Sequence, residues 1–97
     1  MRIISRKMIS DYWEGEPQSE DALKAWYAEA KLANWLTPTD VKQKYGKASI
    51  LKDGRVIFDI SANKYRLVTW INYEFHTVYI RFIGTHKEYD KIDAQII

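Results

Sequence analysis

The chain has 97 residues, 46% apolar and 14% aromatic, which suits one domain with a single core and leaves no room for a second. It has no cysteine, so disulfides and thiolate metal sites are excluded, and no apolar run approaches the ~18 residues a membrane span needs. The net charge of +2 says little about partners, and the opening MRIISRK lacks a secretory leader's apolar stretch, so one cytoplasmic domain over residues 1–97 is the expectation.

Arg2-Ile3-Ile4 is a short β-prone start. Ser5 is placed to cap a helix carrying Met8, Ile9, Tyr12 and Trp13, which Gly15 and Pro17 end. Ser19 is placed to cap a second helix with Glu20 and Asp21 in its first turn, where the dipole favours anions. Its apolar set is Leu23, Trp26, Tyr27 and Ala30, at i, i+3, i+4 and i+7. Thr37-Pro38-Thr39-Asp40 opens a third, shorter helix, with Thr37 as cap, Pro38 first and Asp40 third.

Beyond Gly46 the period changes to two. Residues 48–51 and 55–60 flank Lys52-Asp53-Gly54, and Asp-Gly is a strong hairpin signal. Residues 65–71 and 77–83 form another pair around Asn72-Tyr73-Glu74. The order reads as α+β: N-terminal helices on one face of a mostly antiparallel sheet of four to five strands, with a short C-terminal helix.

Charge is unevenly spread. Asp11, Glu14, Glu16, Glu20 and Asp21 stand together without a base, whereas residues 62–87 hold Lys64, Arg66, Arg81, Lys87, both histidines and one acid, Glu74. Such a window presents a positive field to an anion, or simply solvates a strand face. Alternation puts Lys64, Arg66, Val68 and Trp70 on one face and Tyr65, Leu67, Thr69 and Ile71 on the other, which suits the helices. In the next strand Arg81 shares a face with Tyr79 and Ile83, opposite Ile80 and Phe82.

Thr85-His86-Lys87-Glu88 fits a capping box, so a short helix is expected to start at His86, with Gly84 letting the chain turn off the last strand. His86, Tyr89 and Asp90 then stand at i, i+3 and i+4 on one face, and the helix start beside Lys87 is a candidate phosphate site. The same residues also fit an ordinary capped helix end, with Tyr89, Ile92 and Ile96 as a core stripe. Two histidines ten apart match no zinc pattern, and no phosphate loop, nucleophile elbow or HExxH occurs.

The stretch FDISANKYRLVTWINYEFHTVYIRFIGTHKEYDKID, with its NKYRL and YIRFIGTHKEYDKI blocks, resembles the HigB-type toxins of bacterial toxin–antitoxin pairs, within the RelE-like group of mRNA interferases. The likeness runs over nearly the whole chain and is strongest across residues 58–93. It implies the RelE-like fold, an endoribonuclease without metal or cofactor, mRNA cut on the translating ribosome, and a helix-turn-helix, HigA-like antitoxin. Residue by residue, the Arg of the YRL motif falls on Arg66, the polar group after the glycine ending the last strand on His86, and the C-terminal aromatic on Tyr89. The chain departs from RelE itself in having His86 where that toxin has a basic residue. It also lacks a lysine pair on the strand before YRL, which offers only Arg55 and Asp59, with Lys64 as a partial replacement.

RNA is cut without metal when its own 2′-OH attacks the adjacent phosphate, which needs a base, cations on the phosphate oxygens and an acid for the leaving oxygen. Histidine titrates near neutrality and serves as acid or base. Arg66 offers a fixed fork of donors to phosphate. The expected catalytic group is therefore Arg66, His86, Tyr89 and Asp90, with Asp90 orienting His86 and Tyr89 stacking on a base or moving a proton. Lys64, Arg81 and Lys87 are expected to hold flanking phosphates. A non-catalytic RNA- or protein-binding module of the same fold, using Val68 and Trp70 as contact surface, is the alternative.

Overall fold

A computed structural model describes all of residues 1–97. The elements in chain order are β1 (Arg2–Ile4), α1 (Arg6–Gly15), α2 (Glu20–Leu32), α3 (Pro38–Lys44), β2 (Ser49–Ile50), β3 (Arg55–Ile60), β4 (Tyr65–Asn72), β5 (Thr77–Thr85) and α4 (His86–Tyr89). The strands make one five-stranded sheet in the order β1-β5-β4-β3-β2. Every neighbouring pair is antiparallel except β1 with β5. The α+β expectation is met.

α2 forms because its apolar residues recur on one face, and Leu23, Trp26 and Ala30 are buried. They pack, with Ile9 of α1, on the β3–β4 residues Val56, Phe58, Ile60, Tyr65, Leu67 and Ile71. Phe58 is the hub, with Trp26, Trp35 and Tyr45 rings at 5.3, 5.9 and 5.1 Å. The expected cap of α3 is present: Thr37 and Asp40 form a capping box behind Pro38. The caps expected of Ser5 and Ser19 are not made. Ser5 sits in the left-handed region without a side-chain cap bond, and the Ser19 hydroxyl donates back to Glu16 O at 2.7 Å. A short 3-10 turn, Pro17–Ser19, leads into α2 and takes up that serine.

Two features shape the end of the sheet that matters for function. The β3–β4 connection places Ser61, Ala62 and Asn63 in succession at φ 58, 51 and 81, a conformation that costs about 1–2 kcal/mol for each non-glycine residue. A register shift between Val68 and Thr69 also makes β5 carry one extra residue, Arg81, because Thr69 pairs with Ile80 and Val68 with Phe82. The bulge overturns the simple alternation read for this strand. Phe82 turns to the face of Val68, and Ile83 to the helix-covered face with Leu67.

Candidate functional site

On the face away from the helices, the register stacks three rows of side chains. Arg55, Trp70 and Tyr79 form one end, Ile57, Val68 and Phe82 the middle, and Asp59, Arg66 and Gly84 the other end. The middle is not open. Ala94 is buried against Ile57 and Val68, with Tyr89, Ile92 and Ile97 packed around them. The Gln95 side chain fixes this segment to the β2–β3 turn, accepting from Lys52 N at 3.1 Å and donating to Lys52 O at 2.8 Å. Val68 is therefore fully buried and offers no contact surface, contrary to the binding-module expectation. Trp70 stays half-buried, stacked on Tyr79 at 4.9 Å.

The Arg66 end gathers the residues singled out above. The Arg66 guanidinium lies 3.2 Å from Asp59 Oδ1, donates to Asn63 O at 3.1 Å, and sits 5.9 Å from the centre of the Tyr89 ring. α4 starts where β5 leaves the Arg66–Gly84 pair, and its capping box is complete: Glu88 N donates to Thr85 Oγ1 and Thr85 N to Glu88 Oε1. That fixed first turn brings His86 Nδ1 within 3.2 Å of Asp90 Oδ2, with side chains 53% and 59% exposed. Arg66, His86, Tyr89 and Asp90 thus occupy one corner of the sheet.

The expected flanking cations do not all join them. Lys87 is exposed beside His86 on α4. Lys64 lies in the turn before β4, and its ammonium bonds the Gln18 side chain in the helical layer. Arg81, at the bulge, donates through Nε to Ile97 O at 3.2 Å, and Arg55 donates to the same oxygen. Both are held at the C-terminal segment rather than beside Arg66. The start of α4 is not an anion site either. Thr85 N and Glu88 N close the capping box, and His86 N donates to Lys64 O at 3.4 Å. The Glu88 carboxylate occupies the place a phosphate would take, and the Thr85 N–H it accepts holds it below the usual range.

Gly84 plays a different part from the one expected. It lies inside β5 at an ordinary strand conformation, and an added Cβ would meet Phe82 Cζ at 2.7 Å and Glu88 Cβ at 3.1 Å. It leaves space for the ring that the bulge turned over. Asp59 and Asn63 were missed as partners of Arg66. The signal was available: a four-residue turn after Ile60 pairs Ile60 with Tyr65 and Asp59 with Arg66.

No three His, Asp or Glu side chains come together as a metal-binding group. None of the clefts is lined by Arg66, His86 or Tyr89. The corner is not a cleft: His86 and Asp90 are exposed on it while Arg66 lies deeper, and such a surface admits an extended polymer more readily than an enclosed small molecule.

Comparisons with known proteins give the family. The mRNA interferase toxin HigB of Escherichia coli (strain K12) is 29% identical over 96 residues, covering 97% of this chain and 92% of that protein. The mRNA interferase HigB of Shigella flexneri matches to the same extent, and that of Escherichia coli O6:H1 is 24% identical over 94 residues. The HigB toxin family, described as the RelE-like toxic component of a toxin–antitoxin system, matches residues 19–92. That span holds β2 to β5 and the whole Arg66–His86–Tyr89–Asp90 corner, and on it the chain belongs to the HigB family of RelE-like toxins.

Proposed function

We propose that this chain is an mRNA endoribonuclease toxin that cuts messages on the translating ribosome, without a metal ion, through attack of the 2′-OH on the adjacent phosphate. The observation that carries the reading is the pairing of His86 with Asp90 at the corner where Arg66 lies over Tyr89. The relatives' names, all mRNA interferases, support the substrate class.

With His86 Nδ1–H donated to Asp90, Nε2 carries the free lone pair and takes the 2′-OH proton. The O2′–P bond forms as the P–O5′ bond breaks. Arg66 binds the phosphate oxygens as charge builds on them. Tyr89, with its ring against the guanidinium, supplies a proton to O5′ or a stacking surface for a base. The products are a 2′,3′-cyclic phosphate and a 5′-hydroxyl. Lys87 and, further along the face, Arg81 meet flanking phosphates. The partner that silences the toxin is a helix-turn-helix antitoxin, and the setting is the cytoplasm.

The test is cleavage of a defined message on purified translating ribosomes, with chelator added and ribosome integrity controlled. Cut ends carrying 2′,3′-cyclic phosphate, at an unchanged rate, are expected. A strict requirement for metal bound to the toxin, or 3′-hydroxyl ends, would falsify the mechanism.

A further inference from the structure

We propose that Asp59 is a positioning residue: it aims one edge of the Arg66 guanidinium at the scissile phosphate, and its charge weakens RNA binding while doing so. The inference rests on the reading of Arg66 as the group that binds that phosphate. Three observations carry it.

Asp59 lies directly opposite Arg66 in the β3–β4 register, and the two side chains are only 22% and 13% exposed. A cation this enclosed needs a partner, and an ion pair in such a place is screened less than one on an open surface. Both contacts inside the chain fall on one atom: Arg66 Nη1 meets Asp59 Oδ1 at 3.2 Å and Asn63 O at 3.1 Å. Nε and Nη2 make no hydrogen bond within the protein. They share one edge of the planar fork, and such an edge takes two phosphate oxygens side by side. The Asn63 carbonyl comes from the third of three consecutive left-handed residues, so the turn places the second acceptor at a conformational cost.

Asp59 has a second consequence. A carboxylate beside a phosphate-binding arginine repels the polyanion in every state. Its presence favours turnover only if the orientation it imposes counts for more in the transition state than that repulsion. Asp59→Asn separates the two effects. Binding of a fluorescent 2′-O-methyl oligoribonucleotide, which cannot be cut, should tighten about 2–5-fold as one negative charge is removed. Single-turnover cleavage on ribosomes should slow ~10-fold or more, as expected when a charge stabiliser loses its aim.

Asp59→Glu, with the charge kept, should recover part of the rate and none of the added affinity. Combined with Arg66→Ala, Asp59→Asn should slow cleavage no further than Arg66→Ala alone, because it acts through that residue. Tighter binding with an unchanged rate would overturn the positioning role. Losses of binding, rate and melting temperature together would reduce Asp59 to a structural residue. If Arg66→Ala alone cleaves normally, the reading of Arg66 has failed, and the Asp59 proposal fails with it.

Discussion

At the scale of single residues, the proposed proton transfer and the support of the fold fall on different groups of the corner. His86 is half exposed, and its backbone N–H, not its ring, holds α4 to the β3–β4 turn. His86→Gln should leave the capping box of Thr85 and Glu88 intact and change stability by under ~1 kcal/mol. Single-turnover cleavage should fall ~10²–10⁴-fold. Near-normal cleavage by a folded variant would move the proton transfer to Tyr89. Tyr65 gives the opposite case. It neighbours Arg66 in sequence but faces the helices, fully buried, with a hydroxyl that has no hydrogen-bond partner. Tyr65→Phe should keep the cleavage rate and leave the protein as stable or up to ~1 kcal/mol more so. A collapse of activity in a folded protein would give that hydroxyl a role the geometry does not provide. His86, Tyr89 and Asp90 were legible in sequence because helical spacing alone puts them together. Asp59 was not read as a partner because its meaning depends on cross-strand register.

At the scale of elements, the helices and the strands could be read from period, the caps at Thr37 and Thr85 and the Asp-Gly turn. The bulge in β5 could not. Nothing in Tyr79-Ile80-Arg81-Phe82-Ile83 marks where alternation breaks, because both faces accept apolar side chains once the C-terminal segment covers the outer one. Nor could the buried state of Val68, which depends on Ala94, 26 positions along the chain. The bulge and Gly84 form one device: the first turns Phe82 outward and the second makes room for it beside Glu88. Gly84→Ala should therefore cost about 1–3 kcal/mol, as overpacking does, and lower cleavage by shifting α4. Melting and cleavage measured on one preparation check this, and an Ala variant with wild-type values for both would mean that Phe82 yields freely.

At the scale of the whole molecule, α1 and α4 meet across the sheet edge, with the Tyr12 hydroxyl 3.5 Å from Glu88 Oε1 and its ring edge-on to Tyr65 at 5.9 Å. Both titrations tie stability to pH, in opposite directions. The Thr85 backbone N–H holds Glu88 below its ordinary 4.5, so its contribution is present above pH 4.5 and is lost as pH falls through the lowered value. Burial, then the Glu88 charge, raise Tyr12 from 10.0 to about 12, so its contribution is complete below pH 10 and is lost on the way to about 12. Melting temperature against pH should show both flanks. Glu88→Gln, which keeps the cap, should flatten the acid flank. An acid flank unchanged in that variant would assign it to other carboxylates.

The parallel edge of the sheet also bears on the order in which the molecule can form. β1 pairs only with β5, Arg2 against Thr77, so the first strand made has no partner until most of the chain exists. Closing so long a loop adds entropy cost slowly with length, yet it makes the pairing non-local and the folding correspondingly slow. Arg66, His86, Tyr89 and Asp90 all lie in the last third of the sequence, and the Ala94 segment that seals their face comes after them. A nascent chain that has finished α1, α2 and α3 therefore still lacks all four of these residues, and the corner cannot assemble until β4, β5 and α4 have been made.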